Sequence, residues 1–275
     1  MATQSEKAKV FEELHQRDGT FVIPNPWDAG TAQLLAGLGF EALATTSAGL
    51  AFALGRPDGN GAVSRAEALQ NAKNIVDATD LPVNADLENG YGDDPETVAE
   101  TIRMAADVGL VGGSIEDATG DPEAPIYPLK TAVERVQAAV AAARDLPFKF
   151  MVVGRAENFL HGRPDLDDTI QRLQAYEEAG ADVLYAPGLS TREAIERVVA
   201  SVSRPVNVLM GIAGNVLTVS DMGEMGVRRV SVGSVLSRAA LGGFLRAAEE
   251  IKANGTFSFS AEAPPYRDLN AAFGD

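Results

Sequence analysis

Short apolar, β-branched runs alternate with Ala-rich amphipathic stretches along almost the whole chain, the pattern of repeated βα units rather than separate helical and sheet regions. Eight strands are expected near 21–25, 42–47, 82–88, 112–117, 148–155, 182–186, 205–210 and 228–233. Helices are expected between them near 30–38, 64–78, 95–108, 129–144, 166–179, 190–200 and 218–224, with a last one over about 234–252. The punctuation is regular. Strands three, five and seven open after Pro82, Pro147 and Pro205, where proline need not donate to a ladder. Strands two, four, six and eight follow helices ending on Gly39, Gly109, Gly180 and Gly226, a residue suited to the left-handed C-cap. A βαβα unit used four times predicts a closed (β/α)8 barrel of the TIM type. An open doubly wound sheet is the alternative, but it calls for a glycine-rich phosphate loop after the first strand, where this chain has Asn25-Pro26-Trp27-Asp28.

No linker or low-complexity run interrupts the pattern, so residues 1–275 are expected to form a single barrel domain. The segment from about 253 to 275, with Pro264-Pro265-Tyr266, reads as an extended C-terminal extension. A formal net charge of −16 argues against nucleic acid or an anionic membrane surface as a partner and leaves a small-molecule ligand. The N-terminus carries no apolar run of signal-peptide length, and no stretch approaches the roughly 20 apolar residues of a membrane helix; the expected location is the cytoplasm. The absence of cysteine removes disulfides, thiolate zinc sites and cysteine nucleophiles.

In a (β/α)8 barrel the chemistry sits at strand C-termini. Here the second strand ends on Thr45, Thr46 and Ser47, followed by Gly55-Arg56-Pro57-Asp58. The third ends on Asp86 and Glu88, the fourth on Glu116 and Asp117, the fifth on Arg155 and Glu157, and the seventh carries Asn207. Residues i and i+2 share a strand face, so Asp86 and Glu88 can both point to the mouth with Glu116 beside them. Carboxylates at contact distance need an offsetting cation or proton, and hard oxygen donors without nitrogen or sulfur fit Mg²⁺ better than zinc. One carboxylate is expected to bind directly and the others through water. The bland alternative is a structural salt-bridge ring of Glu88 and Glu116 with Arg155. His15 and His161 are expected at the surface, Trp27 either caps the core or touches substrate, and Asp58 either supports the metal or is merely solvated. Gly233-Ser234 is a weak phosphate-site signal.

These motifs resemble those of the isocitrate lyase/phosphoenolpyruvate mutase superfamily from about Pro24 to Ala240. The matching segments are Thr46-Ser47-Ala48-Gly49 with Gly55-Arg56-Pro57-Asp58, Asp86-Leu87-Glu88-Asn89-Gly90-Tyr91-Gly92, Ile115-Glu116-Asp117 and Arg155-Ala156-Glu157. The resemblance implies a barrel whose eighth helix is exchanged between subunits of a homodimer or homotetramer. It implies Mg²⁺, with Mn²⁺ as a substitute, bound by Asp86 with Glu88 and Glu116 acting through water. It also implies small 2-oxo or 2-hydroxy carboxylate substrates gripped by Thr46, Ser47, the amide of Ala48, Arg155 and Asn207.

Two departures narrow the chemistry. Glu88 stands where the family has Asp. After Asp117, the lyases carry a Lys-[Lys/Arg]-Cys-Gly-His loop, whereas this chain reads Ala118-Thr119-Gly120-Asp121-Pro122-Glu123-Ala124-Pro125-Ile126-Tyr127. The sixth-strand glutamate of the lyases is also replaced, by Ala186-Pro187-Gly188. Decarboxylation of an oxaloacetate-like acid needs little beyond a metal electron sink, while cleavage of a hydroxylated C–C bond also needs an acid and a base. The expected activity is therefore a Mg²⁺-dependent lyase working through an enolate, with Arg155, Asp58 and Glu116 as catalytic candidates. Tyr127 and Asn207 are expected near the distal part of the substrate. Oxaloacetate or phosphonopyruvate hydrolysis, with water activated near Thr119 or Asp58, and a 2-oxo acid binding protein with little catalysis are the alternatives.

Overall fold

A computed structural model describes residues 2–59, 61–211 and 216–274. Eight parallel strands appear in it: β1 (Phe21–Ile23), β2 (Leu43–Ala44), β3 (Val83–Asp86), β4 (Gly112–Glu116), β5 (Met151–Arg155), β6 (Val183–Tyr185), β7 (Val206–Leu209) and β8 (Arg229–Ser231). The helices are α1 (Gln4–Gln16), α2 (Ala29–Gly37), α3 (Ser47–Ala53), α4 (Arg65–Asp77), α5 (Pro95–Asp107), α6 (Leu129–Arg144), α7 (Leu166–Glu178), α8 (Arg192–Ser201), α9 (Val219–Glu224), α10 (Val235–Asn254) and α11 (Tyr266–Phe273).

Each strand ladders with its sequence neighbour from β2 round to β8, and β8 ladders with β1. The seam between β1 and β2 has no ladder; the Ala44 N–H donating to the Pro24 carbonyl at 3.0 Å joins them. The result is a nearly closed (β/α)8 barrel of the expected TIM type. Gly39, Gly109, Gly180 and Gly226 all take left-handed backbone, with φ between 79° and 97°, as C-caps that turn each helix back into a strand. Val83 and Val206 directly follow their prolines, but β5 starts at Met151, four residues beyond Pro147.

Three helices depart from the expected pattern. Residues 47–53 form α3 rather than a loop, being too short at seven residues to display a helical period. The terminal extension is not an extended tail: after Pro265, which fits just ahead of a helix start, α11 returns to α2 with Phe273 against Gly30. At the other end, α1 plugs the bottom of the barrel. Its Ala8, Phe11 and Leu14 pack with Phe21, Val111, Met151 and Val183.

His15, expected at the surface, is buried on α1 with its ring edge-on to Phe11 and Phe21, at 4.6 and 5.0 Å between centroids. Burial, reinforced by the charge of Arg229, drops its pKa to about 3 and keeps it neutral. No helix among the described residues is long and apolar enough to cross a membrane.

Candidate active site

The carboxylates gather where strand alternation places them. On β3, Asp86 faces the mouth; its backbone N–H donates to Thr45 Oγ1 at 2.9 Å, and its Oδ2 accepts from the Ser47 N–H at 3.3 Å. On β5, Arg155 reaches across: Nη1 lies 3.3 Å from Asp86 Oδ1 and 3.1 Å from Glu116 Oε2, while Nε donates to Glu157 Oε1 at 2.5 Å. One guanidinium thus ties together three strands. Burial raises the Glu116 pKa well above the usual carboxylate range; Arg155 opposes this, and Glu157, Asp86 and Glu88 add to it. Although burial works against its charge, Arg155 is held firmly protonated by Glu116, Glu157 and Asp86.

Glu88 follows β3 with left-handed backbone, φ 47°, and Tyr91 does the same at φ 62°. Such conformations in non-glycine residues cost on the order of 1–3 kcal/mol and persist where the surroundings enforce them. Arg135 of α6 supplies that enforcement: it donates to the carbonyls of Asn89, Gly92 and Asp93 while its guanidinium stacks 4.3 Å over the Tyr127 ring. The Glu88 carboxyl is consequently fixed beside Asp86. Burial, then Asp86 and Asp58, raise its pKa to about 7, against the charge of Arg155 and a hydrogen bond from Tyr91.

Asp58 lies on an exposed loop, but its carboxyl end borders the mouth. Partial desolvation and the nearby Asp86 raise its pKa, and a hydrogen bond to the Ser47 side chain pulls the other way. It therefore belongs with the cluster electrostatically.

Asp117, one residue beyond Glu116, points to the opposite face and away from the mouth. It accepts from the Glu157 N–H (2.8 Å), Arg172 Nη1 (3.0 Å) and the Tyr176 hydroxyl (2.5 Å), and so is a packing knot behind the site. Tyr127, expected near substrate, is also turned away, its hydroxyl donating to Asp93 and its carbonyl accepting from Arg172. The segment between them folds on itself as a small hairpin, with Ala118 bridging Ile126 and the Thr119 hydroxyl donating to the Ala124 carbonyl at 2.7 Å. His161 is partly exposed and lies 3.8 Å from Glu157. Trp27 is half-buried and offers its carbonyl to Asn71.

Thr46 caps α3, its Oγ1 accepting from the Gly49 N–H at 3.2 Å. A Cβ on Gly49 would stand 2.5 Å from Thr46 Cγ2, so the cap and the close turn require glycine there. Thr46, Ser47 and Ala48 line a cavity of ≈ 170 Å³ with Asp86 and Arg155, and the same cavity continues down to Asn207 and Arg229 inside the barrel. Outside it lies a cleft of ≈ 1180 Å³ bordered by Asp58, Glu88, Glu116 and Thr119. Gly233 and Ser234 line the inner cavity, and Ser234 makes no side-chain cap on α10.

The residues fit a hard divalent cation. The donors nearest Arg155 are carboxylate oxygens, and burial, with the neighbouring carboxylates adding to it, raises the pKa values of Glu88 and Glu116. Among the described residues, no three His, Cys, Asp or Glu side chains converge closely enough to enclose a bare ion. Mg²⁺ keeps several waters and takes one or two carboxylates, so it does not require such a group. The anticipated salt-bridge ring is present in altered form, with Asp86 and Glu157 joining Glu116 on Arg155, and it leaves Glu88 outside.

Sequence reasoning missed Arg135 and Arg172. Each interrupts an apolar helix face, beside Ala132, Val136 and Ala139 on α6 and beside Thr169, Leu173 and Tyr176 on α7. A cation on a buried stripe was the available signal.

The chain matches the family model described as phosphoenolpyruvate phosphomutase over residues 11–252. A crystal structure from Burkholderia cenocepacia J2315, provisionally described as a lyase/mutase, is 57% identical, with a TM-score of 0.96 over 99% of this chain and 97% of that one. The 2-methylisocitrate lyase of Halalkalibacterium halodurans is 27% identical over 92% of this chain and 85% of its own. An oxaloacetate acetylhydrolase solved with its product oxalate is 26% identical, with a TM-score of 0.89 over 100% of this chain and 96% of that one. With most of its length inside the family model and its strand-end motifs gathered at the barrel mouth, the chain belongs to the phosphoenolpyruvate phosphomutase family, within the isocitrate lyase/phosphoenolpyruvate mutase superfamily.

Proposed function

We propose that this protein is a Mg²⁺-dependent carbon–carbon lyase acting on small 2-oxo carboxylates, with oxaloacetate-like decarboxylation its best-supported reaction. The observation that carries this reading is the clamp of Arg155 on Asp86 and Glu116 beside the under-compensated Glu88. Asp86 would hold the ion directly, with Glu88 and Glu116 holding its waters. The bound ion supplies positive charge for the oxyanion that develops on the substrate's C2 oxygen. Arg155 offers a second, fixed positive charge to the same carboxylate end. The Ala48 N–H at the start of α3 orients that end against the barrel wall. No cysteine and no sixth-strand carboxylate is at hand to protonate a departing carbanion, which favours loss of CO₂ over cleavage of a hydroxylated bond.

Hydrolysis is the second reading, favoured by likeness to the oxaloacetate acetylhydrolase. In it Asp58, with its raised pKa, would take the proton of an attacking water. Incubating the protein with Mg²⁺ and oxaloacetate, phosphonopyruvate, 2,3-dimethylmalate or 2-methylisocitrate, with an EDTA control and NMR detection, separates the readings. Pyruvate and CO₂ from oxaloacetate, EDTA-sensitive and faster than with free Mg²⁺, are expected. Oxalate plus acetate, or phosphate plus pyruvate, establishes a hydrolase. Succinate from 2-methylisocitrate establishes a lyase of the other kind, and binding without turnover refutes an enzyme.

The same reading includes an exchanged eighth helix. Of the 20 residues of α10 only Ser237 is buried, and Leu241, Phe244 and Leu245 stand 40–68% exposed, an apolar face suited to a second copy of this chain. Sedimentation equilibrium is expected to give a dimer or tetramer that Phe244→Glu weakens. A monomeric parent protein would rule the exchange out.

A further inference from the structure

The interior of an eight-stranded barrel is ordinarily filled by branched apolar side chains. Beneath this mouth it is polar. On β8, Arg229 and Ser231 share the inward face, and with Asn25, Asn84 and Asn207 they line the cavity that opens between Ser47 and Arg155. Arg229 is only 3% exposed. Its Nε donates to Asn207 Oδ1 at 2.9 Å, and its Nη1 lies 3.5 Å from His15 Nε2. Both partners are uncharged. The His15 Nδ1–H donates to the Phe11 carbonyl at 2.8 Å, which assigns Nε2 as the lone-pair nitrogen facing Arg229.

Among the described residues no carboxylate forms an ion pair with Arg229, in contrast to Arg155 and Arg172. Burial lowers its pKa to about 10, which leaves it charged at neutral pH. A guanidinium enclosed without a counter-charge is costly, and one that lines a cavity is matched most simply by an anionic group entering that cavity. Depth is consistent with this. Arg229 stands two residues before the end of β8, hence about 6.6 Å back along the strand and about 5 Å below the rim at a strand tilt of about 36°. A dicarboxylate of roughly five backbone atoms spans that depth.

We propose that Arg229, steadied by Asn207, is a second anion subsite at the floor of the cavity, where it recognises the distal carboxylate of a 2-oxo dicarboxylate whose 2-oxo acid end is held at the mouth. This rests on the reading of the mouth given above and favours the hydrolytic cleavage that keeps the distal carboxylate over its loss as CO₂, which a bound guanidinium opposes. It makes the substrate a dianion read from both ends, with the distal selectivity set inside the barrel and not by the 118–127 hairpin.

Two ligands with the same oxalyl head test it: N-oxalylglycine, which carries a second carboxylate, and N-ethyloxamate, in which a methyl group replaces it. Calorimetry in Mg²⁺ buffer is expected to show N-oxalylglycine bound about tenfold to a hundredfold more tightly, the range for a charge-assisted hydrogen bond. Arg229→Met, close in volume, is expected to erase that preference while leaving oxalate affinity within about threefold. Equal affinities in the parent protein, with oxalate bound, overturn the floor subsite whether or not the variant folds. A preference that survives in Arg229→Met also overturns it. Failure of oxalate itself to bind removes the reading of the mouth, and the floor subsite with it.

Discussion

Asp86→Asn is expected to lower turnover about a thousandfold at saturating Mg²⁺, roughly 4 kcal/mol of transition-state stabilisation, while leaving the fold intact. The substitution keeps the shape of the side chain. An amide oxygen can still accept from the Ser47 N–H, so the turn from β2 into α3 retains its tie to β3. What disappears is the negative charge on the residue assigned to hold the ion, and one of the anions facing Arg155. Product NMR against Mg²⁺ concentration, with circular dichroism as a control, checks it. A rate within tenfold of the parent would mean that the ion, if used, is held elsewhere.

Arg155→Met is expected to act on stability as strongly as on chemistry, and in a pH-dependent way. Removing one partner of a buried ion pair costs about 3–5 kcal/mol because the stranded charges stay buried. Here the stranded groups are Asp86, Glu116 and Glu157, and burial already raises the folded-state pKa values of the last two. A carboxyl with a raised folded pKa stabilises fully below its unfolded pKa, near 4.5, and loses that contribution as pH rises through the folded value. Losing Arg155 pushes both folded values higher. The deficit should therefore be smaller at an acidic pH than at an alkaline one. Urea denaturation of parent and variant at the two pH values measures it. Equal deficits at both would show that Glu116 and Glu157 were not what Arg155 neutralises.

Much of this arrangement was legible before any coordinates. Proline ahead of strands and glycine behind helices marked the repeat, because each solves a backbone problem at one place in a βα unit. Strand alternation put Asp86 at the mouth, with Glu116 beside it on the neighbouring strand. It also turns Asp117 away from Glu116, since adjacent strand residues cannot share a face. Glu88 stands beyond the last ladder pair of β3, so its direction comes from left-handed backbone that no alternation pattern encodes. Arg135, Arg172 and Arg229 were silent, and His15 was wrongly placed at the surface, for a different reason. Their meaning lies in contacts with residues tens to hundreds of positions away, as in the pairing of Arg172 with Asp117 or Arg229 with His15. Helix α3 was missed because seven residues between two strand-end motifs show no period.

The unladdered seam gives the two sides of the mouth different mechanical characters. Arg155 ends a five-residue strand hydrogen-bonded on both sides, and moving it would disrupt β4, β5 and β6 together. Thr46, Ser47 and Ala48 follow a two-residue strand that ladders on one side only. Local opening takes least free energy where the fewest backbone bonds must break. The β5 side of the mouth is therefore the stiff wall, and the β2 side is the one that yields at least cost in broken backbone bonds.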